Sequence, residues 1–197
     1  MGIYIPTYFS SIHQYSLMVK EESILFEVHD NYQKQSYRNR CYISGPNGKQ
    51  LLSIPIKYDS SLGRIKSKDI KVENDFPWQY QHFKALKVTY RSSPFFELLE
   101  EELSPIFTKK YTYLYDVNLD TLAFVLDTLE IKIPTQESSS YCTDYQNDHR
   151  EVAHKKFQPE KSNKRYTQMF DEKNGFLKNL SILDLLFMEG PNTISYI

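Results

Sequence analysis

The sequence predicts an α/β fold with a mostly parallel sheet, an inserted β-hairpin and a helical C-terminal half. Three observations predict it: a strand–helix–strand pattern over residues 3–28, two β-prone runs around a turn within residues 37–56, and helical spacing of apolar residues after residue 77. The chain has 197 residues, which is the length of one ordinary domain. We therefore expect a single domain over residues 1–197.

The strand–helix–strand pattern predicts how the sheet begins. The run Ile3-Tyr4-Ile5 is apolar and ends at Pro6, Ser10 and Ser11 are good helix caps, and residues 24–28 form a second, mostly apolar run. Two strands joined by a helix are expected to be parallel, with a right-handed crossover.

The predicted hairpin surrounds an Asn-Gly turn within the sequence Gly45-Pro46-Asn47-Gly48. Beyond it, residues 68–72 alternate polar and apolar side chains, as a half-buried strand does. The stretch from Lys34 to Lys71 is also basic, with nine positive and two negative residues and a net charge of +7. An anionic ligand would bind in this region. The alternative is a solvated hairpin whose lysines keep the protein soluble.

Helices dominate after residue 77. Pro77 suits a first helical turn, Ser93-Pro94 restarts a helix, and Asn118 is predicted to cap a third one. The sequence Ser181-Ile182-Leu183-Asp184 matches a capping box, which predicts the last helix.

Residues 135–165 have a different, polar composition. Apart from two tyrosines and a cysteine, only Val152, Ala153 and Phe157 are apolar, so we expect a long polar surface loop. The segment also clusters potential metal ligands, namely Cys142, Asp144, His149 and His154. Two histidines five residues apart in a loop do not fix a coordination geometry, so we predict no metal site.

The composition argues against several classes of protein. The 24 basic residues nearly balance the 25 acidic ones, which argues against nucleic-acid binding by charge. The six glycines form neither a dinucleotide fingerprint nor a Walker loop, so no cofactor is predicted. Two cysteines about 100 residues apart suit reduced thiols. No apolar run approaches the roughly 18 residues of a membrane span, and we expect a cytoplasmic protein.

The most unusual stretch is residues 30–40, which contains no aliphatic residue and follows the second predicted strand. Ligands bind at the carboxyl ends of strands in open α/β sheets. We expect Arg38, Arg40 and Lys34 to hold a phosphate or carboxylate, and Gln33 and Asn39 to orient the ligand. Tyr32 and Tyr37 could stack on a sugar or base, although aromatic core residues are commoner.

Further candidates lie in the helical half. His82 shares a helix face with Trp78, and it is either a general base or a half-buried histidine bonded to a carbonyl. Asp184 could act as an acid or hold a ligand amine, but its capping-box position explains it without a function. Asn179 could point its amide at a ligand, and Trp78 could stack on one. We expect residues 31–40 and 179–184 to line one pocket.

Several motifs together carry a resemblance to a known family. They are listed here in chain order: Pro6-Thr7-Tyr8-Phe9, Asn31-Tyr32-Gln33-Lys34, Tyr37-Arg38-Asn39-Arg40, Ile54-Pro55-Ile56, Trp78-x-x-x-His82, Tyr90-x-x-x-Pro94-Phe95-Phe96, Tyr166-Thr167-Gln168 and Asn179-Leu180-Ser181-Ile182-Leu183-Asp184-Leu185-Leu186-Phe187. With these motifs the chain resembles the WbqC-like proteins over nearly its whole length, in the compact form of the Bacteroidetes group.

The resemblance implies a role in surface-polysaccharide biosynthesis, because the family is associated with O-antigen-type gene clusters. It implies a transferase that adds a small aminoacyl group to an activated sugar, with a small anionic ligand such as a nucleotide-linked sugar as its partner. The alternative is a non-enzymatic ligand-binding or assembly module of an envelope operon. RNA binding is a third reading, which the neutral total charge weakens.

The chain departs from the family pattern at its first turn. Many members carry a histidine before the proline that matches Pro6, where this chain has Tyr4-Ile5. If that histidine were the essential base, this protein would be inactive or would use another one.

Overall fold

A computed structural model describes residues 1–58, 63–157, 159 and 164–197, and most of its strands and helices follow the predicted order. The strands are β1 (Gly2–Tyr4), β2 (Ile24–Phe26), β3 (Arg40–Gly45), β4 (Gly48–Ser53), β5 (Ile56–Lys57), β6 (Lys71–Val72) and β7 (Thr135–Glu137). The helices are α1 (Ile12–Met18), α2 (Trp78–Tyr90), α3 (Phe96–Thr108), α4 (Leu114–Thr128), α5 (Asp171–Asn174) and α6 (Ile182–Glu189).

The predicted strand–helix–strand unit is confirmed. β1 and β2 pair in parallel, with Ile3 opposite Leu25, and α1 makes the crossover between them. The Ser11 hydroxyl accepts a hydrogen bond from the Gln14 amide at 3.2 Å, which satisfies one of the open amides at the start of α1. Both strands are buried, so their apolar runs face packed elements on both sides.

The third strand of this sheet was not expected. β7 pairs in parallel with β2, which gives the strand order β1-β2-β7 and one direction for all three strands. The residues of β7, Thr135–Glu137, are all exposed and polar, so no apolar pattern marks this edge strand. Its backbone hydrogen bonds to β2 hold it in the sheet.

The segment 135–165 is therefore not a plain surface loop, and that prediction is wrong at three places. β7 begins it, Val152 and Ala153 are buried, and residues 147–149 flank β1 on the side away from β2. Ile3 donates its amide to the Asn147 carbonyl at 2.9 Å, and His149 donates to the Ile3 carbonyl at 2.9 Å. Residues 138–148, which we call the strap, connect these two edges of the sheet. Residues 158 and 160–163 lie outside the described residues.

The hairpin is confirmed, with a different turn at its tip. β3 and β4 are antiparallel and the ladder closes with Gly45 opposite Gly48, so Pro46 and Asn47 are the two loop residues. The proline ring fixes φ near −65°, which excludes the Asn-Gly turn type in which both central residues have positive φ. Gly48 instead takes the positive φ, at 103°.

The predicted strand over residues 68–72 is shorter than expected. Residues Ser67–Asp69 form a 3₁₀ turn, and only Lys71 and Val72 pair as β6, antiparallel to β5. The alternation of polar and apolar side chains therefore spans two different local structures.

The helical C-terminal half is also confirmed, with one correction. α4 begins at Leu114, so Asn118 lies inside the helix rather than at its cap. Its buried amide nitrogen donates to the carbonyls of Pro6 and Arg38, at 3.1 and 2.9 Å. An asparagine inside a helix is tolerated here because its side chain anchors two loops to α4.

The buried apolar side chains of the sheet, the hairpin and the helices form one continuous core. Its largest fully buried members are aromatic: Tyr4, Tyr8, Tyr15, Tyr90, Phe9, Phe96 and Phe187. Among the helices of the described residues, none is long and apolar enough to cross a membrane.

Candidate functional site

An open cleft of about 730 Å³ lies at the C-terminal ends of the three parallel strands. Ile5 follows β1, Asp30 follows β2 and Tyr141 follows β7, and all three line the cleft. We call it the strand-end cleft. Its other lining residues are Asn31, Gln33, Arg38, Arg64, Asp148, Arg150, Glu151 and His154. The sheet order places it at the edge where ligands of α/β proteins bind.

A buried ion pair forms one wall of this cleft. The Arg38 guanidinium contacts the Asp30 carboxylate through Nη2 and also donates from Nε to the Ser67 hydroxyl at 3.3 Å. Arg38 is only 3% exposed, and its Nη1 is shielded from solvent with no partner among the described residues. The charge of Arg38 is therefore neutralised by Asp30, and its hydrogen bonds serve the fold.

The strap forms a second wall of the cleft. Arg150 lies two residues beyond the strap and holds it in place through several contacts. Its guanidinium donates to the Asp148 carboxylate at 2.5–3.1 Å and to the Cys142 carbonyl at 2.8 Å. The rings of Tyr141 and Tyr145 lie 5.4 and 5.6 Å from the guanidinium carbon. Hydrogen bonding from Arg150 lowers the pKa of Asp148 below its ordinary value. This pair keeps an otherwise irregular segment against the sheet.

A buried carboxylate joins the strap to the sheet. Glu27 follows β2, is fully buried, and accepts hydrogen bonds from the Ser138 hydroxyl at 2.9 Å and the His29 amide at 2.7 Å. Its second oxygen lies 3.8 Å from Arg150 Nη1. Because a buried unpaired carboxylate is costly, this contact favours the observed position of Arg150.

His154 and Glu151 also line the cleft. His154 is half-buried, and desolvation, with a smaller effect of the Arg38 charge, lowers its pKa below the ordinary 6.5. The imidazole is then mostly neutral at pH 7 and able to accept a proton. Glu151 is exposed, and Arg64 and Gln33 are exposed on the rim.

The predicted base His82 lies elsewhere, in a buried aromatic cluster. Its Nδ1 is 3.0 Å from the Tyr8 hydroxyl, and its ring packs edge-on against Trp78 at 5.4 Å. Burial lowers the pKa of His82 to about 4, so the imidazole is neutral, and a backbone hydrogen bond to Ser53 opposes the shift. The alternative interpretation from the sequence, a half-buried histidine bonded to a carbonyl, is closer to this position, but His82 is almost fully buried. Trp78 is likewise 2% exposed, which leaves no face for a ligand.

Asp184 is fully buried and receives three hydrogen bonds instead of capping its own helix. They come from the Tyr90 hydroxyl, the Tyr166 hydroxyl at 2.6 Å and the Ser44 amide at 3.3 Å. Burial raises the pKa of Asp184 above its ordinary value, although these three donors oppose the shift. These hydrogen bonds connect α6 to α2, to β3 and to the residues before α5, so Asp184 has a structural role.

Most of the run 31–40 serves the fold or faces away from the cleft. Tyr32 is buried, and burial raises its pKa to about 12. The Lys34 ammonium lies 4.0 Å from the Tyr58 ring, and Tyr37 packs edge-on against Tyr42 at 6.0 Å. Asn39 donates its side-chain amide to the Ile54 carbonyl at 2.8 Å, and Arg40 begins β3. Of the ligand residues predicted in this run, Gln33 and Arg38 line the cleft.

Asn179, which we predicted to point its amide at a ligand, instead caps the start of α1. It has a positive φ of 52°, and its side-chain oxygen accepts a hydrogen bond from the His13 amide in the first turn of α1 at 3.2 Å. No residue of 179–184 lines the strand-end cleft. The prediction that residues 31–40 and 179–184 form one pocket is therefore wrong, because the second stretch packs against α1 and the hairpin.

Sequence reasoning missed more than half of the cleft. Arg64, Tyr141, Asp148, Arg150 and Glu151 were not among the candidates, and His154 was considered only as a metal ligand. Five of these six residues, all except Arg64, lie in the segment 135–165 that was interpreted as a loop. The rule applied to residues 30–40, a polar run directly after a strand, would have found them if β7 had been recognised.

A comparison with known protein families identifies the family of the chain. The profile of the WbqC-like protein family matches residues 4–156. The chain belongs to this family. No curated protein and no solved structure matches the chain.

The WbqC-like match covers every residue of the strand-end cleft, from Ile5 to His154. The motifs around Tyr166 and Asp184 lie beyond it. Membership suggests a role in polysaccharide biosynthesis, and no match names a specific transferase activity. Within the described residues, no three His, Cys, Asp or Glu side chains are placed to hold a metal ion together.

Proposed function

We propose that this protein is a transferase of surface-polysaccharide biosynthesis and that the strand-end cleft is its substrate site. The observation that carries the proposal is the exposed guanidinium of Arg64 in an open cleft at the ends of parallel strands, which the ion-paired Arg38 and Arg150 also line. A guanidinium matches the planar geometry of phosphate and carboxylate groups. The cleft, at about 730 Å³, has room for a nucleotide-linked sugar.

Each side chain has a role in this proposal. Arg64 is the exposed guanidinium and contacts the anionic group, while Arg38 and Arg150, each paired with an aspartate, hold the two sides of the cleft in place. Tyr141 is 56% exposed and offers a ring on which a sugar or base stacks. Gln33 and Asn31 donate to the ligand from the rim.

His154 is the proposed general base in place of His82. It lines the cleft, and its lowered pKa leaves the imidazole neutral and able to take a proton from an attacking hydroxyl or amine. In the reaction we propose, a hydroxyl or amine of the activated sugar attacks the acyl carbon of an aminoacyl ester or thioester and gives its proton to His154. The bond between the acyl carbon and the carrier then breaks, and the carrier alcohol or thiol leaves with that proton. His82 and Asp184 do not line the cleft, and we assign them a structural role.

A non-enzymatic ligand-binding module is the second candidate. The burial of both His82 and Asp184 favours it, because the two residues first expected to perform catalysis lie away from the cleft. In that case the cleft binds its ligand and His154 only shapes the wall.

Complementation of a strain that lacks the gene tests the proposal. The surface glycan is analysed by mass spectrometry, and we expect the deletion to remove one small acyl substituent that the parent gene restores. His154→Gln and Arg64→Gln should not restore it. His13→Gln is the matched control, because burial also lowers the pKa of His13 but this residue lies outside the cleft.

The two candidates give different results in that experiment. Full restoration by His154→Gln together with failure of Arg64→Gln indicates a binding module. A glycan that is unchanged in the deletion strain contradicts the role in polysaccharide biosynthesis altogether.

A further inference from the structure

The strand-end cleft contains acids as well as arginines. Asp30, Asp148 and Glu151 line it together with Arg38, Arg64 and Arg150. A site for a purely anionic ligand gains nothing from carboxylates, because like charges brought together repel. The acids therefore need an explanation, and their partners within the protein supply part of it.

Two of the three acids are neutralised inside the protein. Asp30 pairs with Arg38 in the buried wall, and Asp148 pairs with Arg150 in the strap. Glu151 remains, with no ion pair among the described residues, and it is exposed in the cleft. Arg64 is likewise exposed there. Once the internal pairs are set aside, the cleft presents one carboxylate and one guanidinium to a ligand.

We infer that the ligand carries a free primary amine in addition to its anionic group, as an amino-sugar phosphate does. The anionic group binds at Arg64 and the ammonium group binds at Glu151. The inference rests on the proposed function, because it names the class of sugar that this cleft takes. It also gives Glu151 a purpose that an anion site alone does not.

Charge complementarity makes the inference specific. A neutral hydroxyl in place of the ammonium would leave the Glu151 carboxylate facing the ligand without a cation. An amine, in contrast, converts Glu151 into a charge-assisted hydrogen-bond partner, which strengthens binding by roughly tenfold or more. The preference for the amine must then depend on Glu151 alone, and not on Arg64.

Calorimetric titration with two sugars tests this dependence. Glucosamine 1-phosphate and glucose 1-phosphate are similar in size and differ in an amine against a hydroxyl. We expect the parent protein to bind glucosamine 1-phosphate at least about tenfold more tightly. Glu151→Gln should bind the two sugars equally, and Arg64→Gln should weaken both. Glu97→Gln, an exposed glutamate on α3, is the matched control and should behave as the parent does.

The outcomes separate the inference from the proposed function. Equal binding of both sugars by the parent, or a preference that survives Glu151→Gln, overturns the inference and leaves the anion site intact. Absence of binding by both sugars overturns the assignment of the cleft, and the inference with it.

Discussion

The Asp30 carboxylate and the Arg38 guanidinium form a buried ion pair that closes one wall of the strand-end cleft. Asp30 follows β2 and Arg38 precedes β3, so the pair holds the loop between the sheet and the hairpin in place. Its position explains how a long polar run can have a fixed structure without an apolar side chain of its own beyond Tyr32 and Tyr37.

Removal of Arg38 should destabilise the protein strongly. Arg38→Ala leaves the Asp30 charge buried and unpaired, which costs about 3–5 kcal/mol of unfolding free energy. Urea denaturation followed by circular dichroism measures it. Arg64→Ala removes an exposed arginine and should change the unfolding free energy by less than about 0.5 kcal/mol. Equal effects of the two variants would contradict the structural role of Arg38.

Replacing Asp184 should also destabilise the protein. Asp184→Ala strands the hydroxyls of Tyr90 and Tyr166 in the core, at a cost of about 3 kcal/mol. The exposed Asp127→Ala, in the last turn of α4, is the control and should lie within about 0.5 kcal/mol of the parent. A stable Asp184→Ala protein would show that the tyrosines find other acceptors.

The raised pKa of Asp184 gives the stability a pH dependence of known sign. The folded state holds the Asp184 proton more tightly than the unfolded state, whose carboxyl has the ordinary value of 3.8. The contribution of this group is therefore fully present below pH 3.8 and is lost as the pH rises through the folded pKa. Unfolding at pH 7 and pH 4.5 should show the parent gaining stability relative to Asp184→Asn at the lower pH. A constant difference between the two proteins would rule out this shift.

His82 should produce the opposite dependence. Its folded pKa of about 4 lies below the ordinary 6.5, so the unfolded state binds the proton more tightly. Stability from His82 is complete above pH 6.5 and falls by about 3 kcal/mol as the pH drops through 4. His82→Gln should remove this part of the acid sensitivity. Imidazole resonances measured by NMR provide the direct check, because a midpoint near pH 6.5 would contradict the buried position.

Most of the fold could be predicted from the sequence because its main elements have strong local sequence signals. β1, α1 and β2 have apolar runs and a serine cap, and the hairpin has its glycine-flanked turn. β7 has no such signal, since its three residues are exposed and only backbone hydrogen bonds define it. Asn118 was misplaced for a similar reason, because its partners, the carbonyls of Pro6 and Arg38, are distant in sequence.

The candidate site could be predicted from the sequence only in part. The dense polar run after β2 contains Arg38 and Gln33, and both residues line the cleft. The same density could not tell that the Arg38 guanidinium is bonded to Asp30 rather than to a ligand. The strap was missed because Arg150 is held by contacts with Glu27, Asp148 and two aromatic rings, and none of these contacts follows from a local pattern.

The most direct test of the cleft as the site of an anionic sugar is NMR of the arginine side chains during titration with glucosamine 1-phosphate. We expect the Nε–Hε resonances of Arg64 and Arg150 to shift to saturation, because both residues line the cleft. Arg91 and Arg165, which do not line it, should remain unchanged. The absence of a saturable shift at Arg64 and Arg150, or shifts confined to Arg91 and Arg165, would contradict the account.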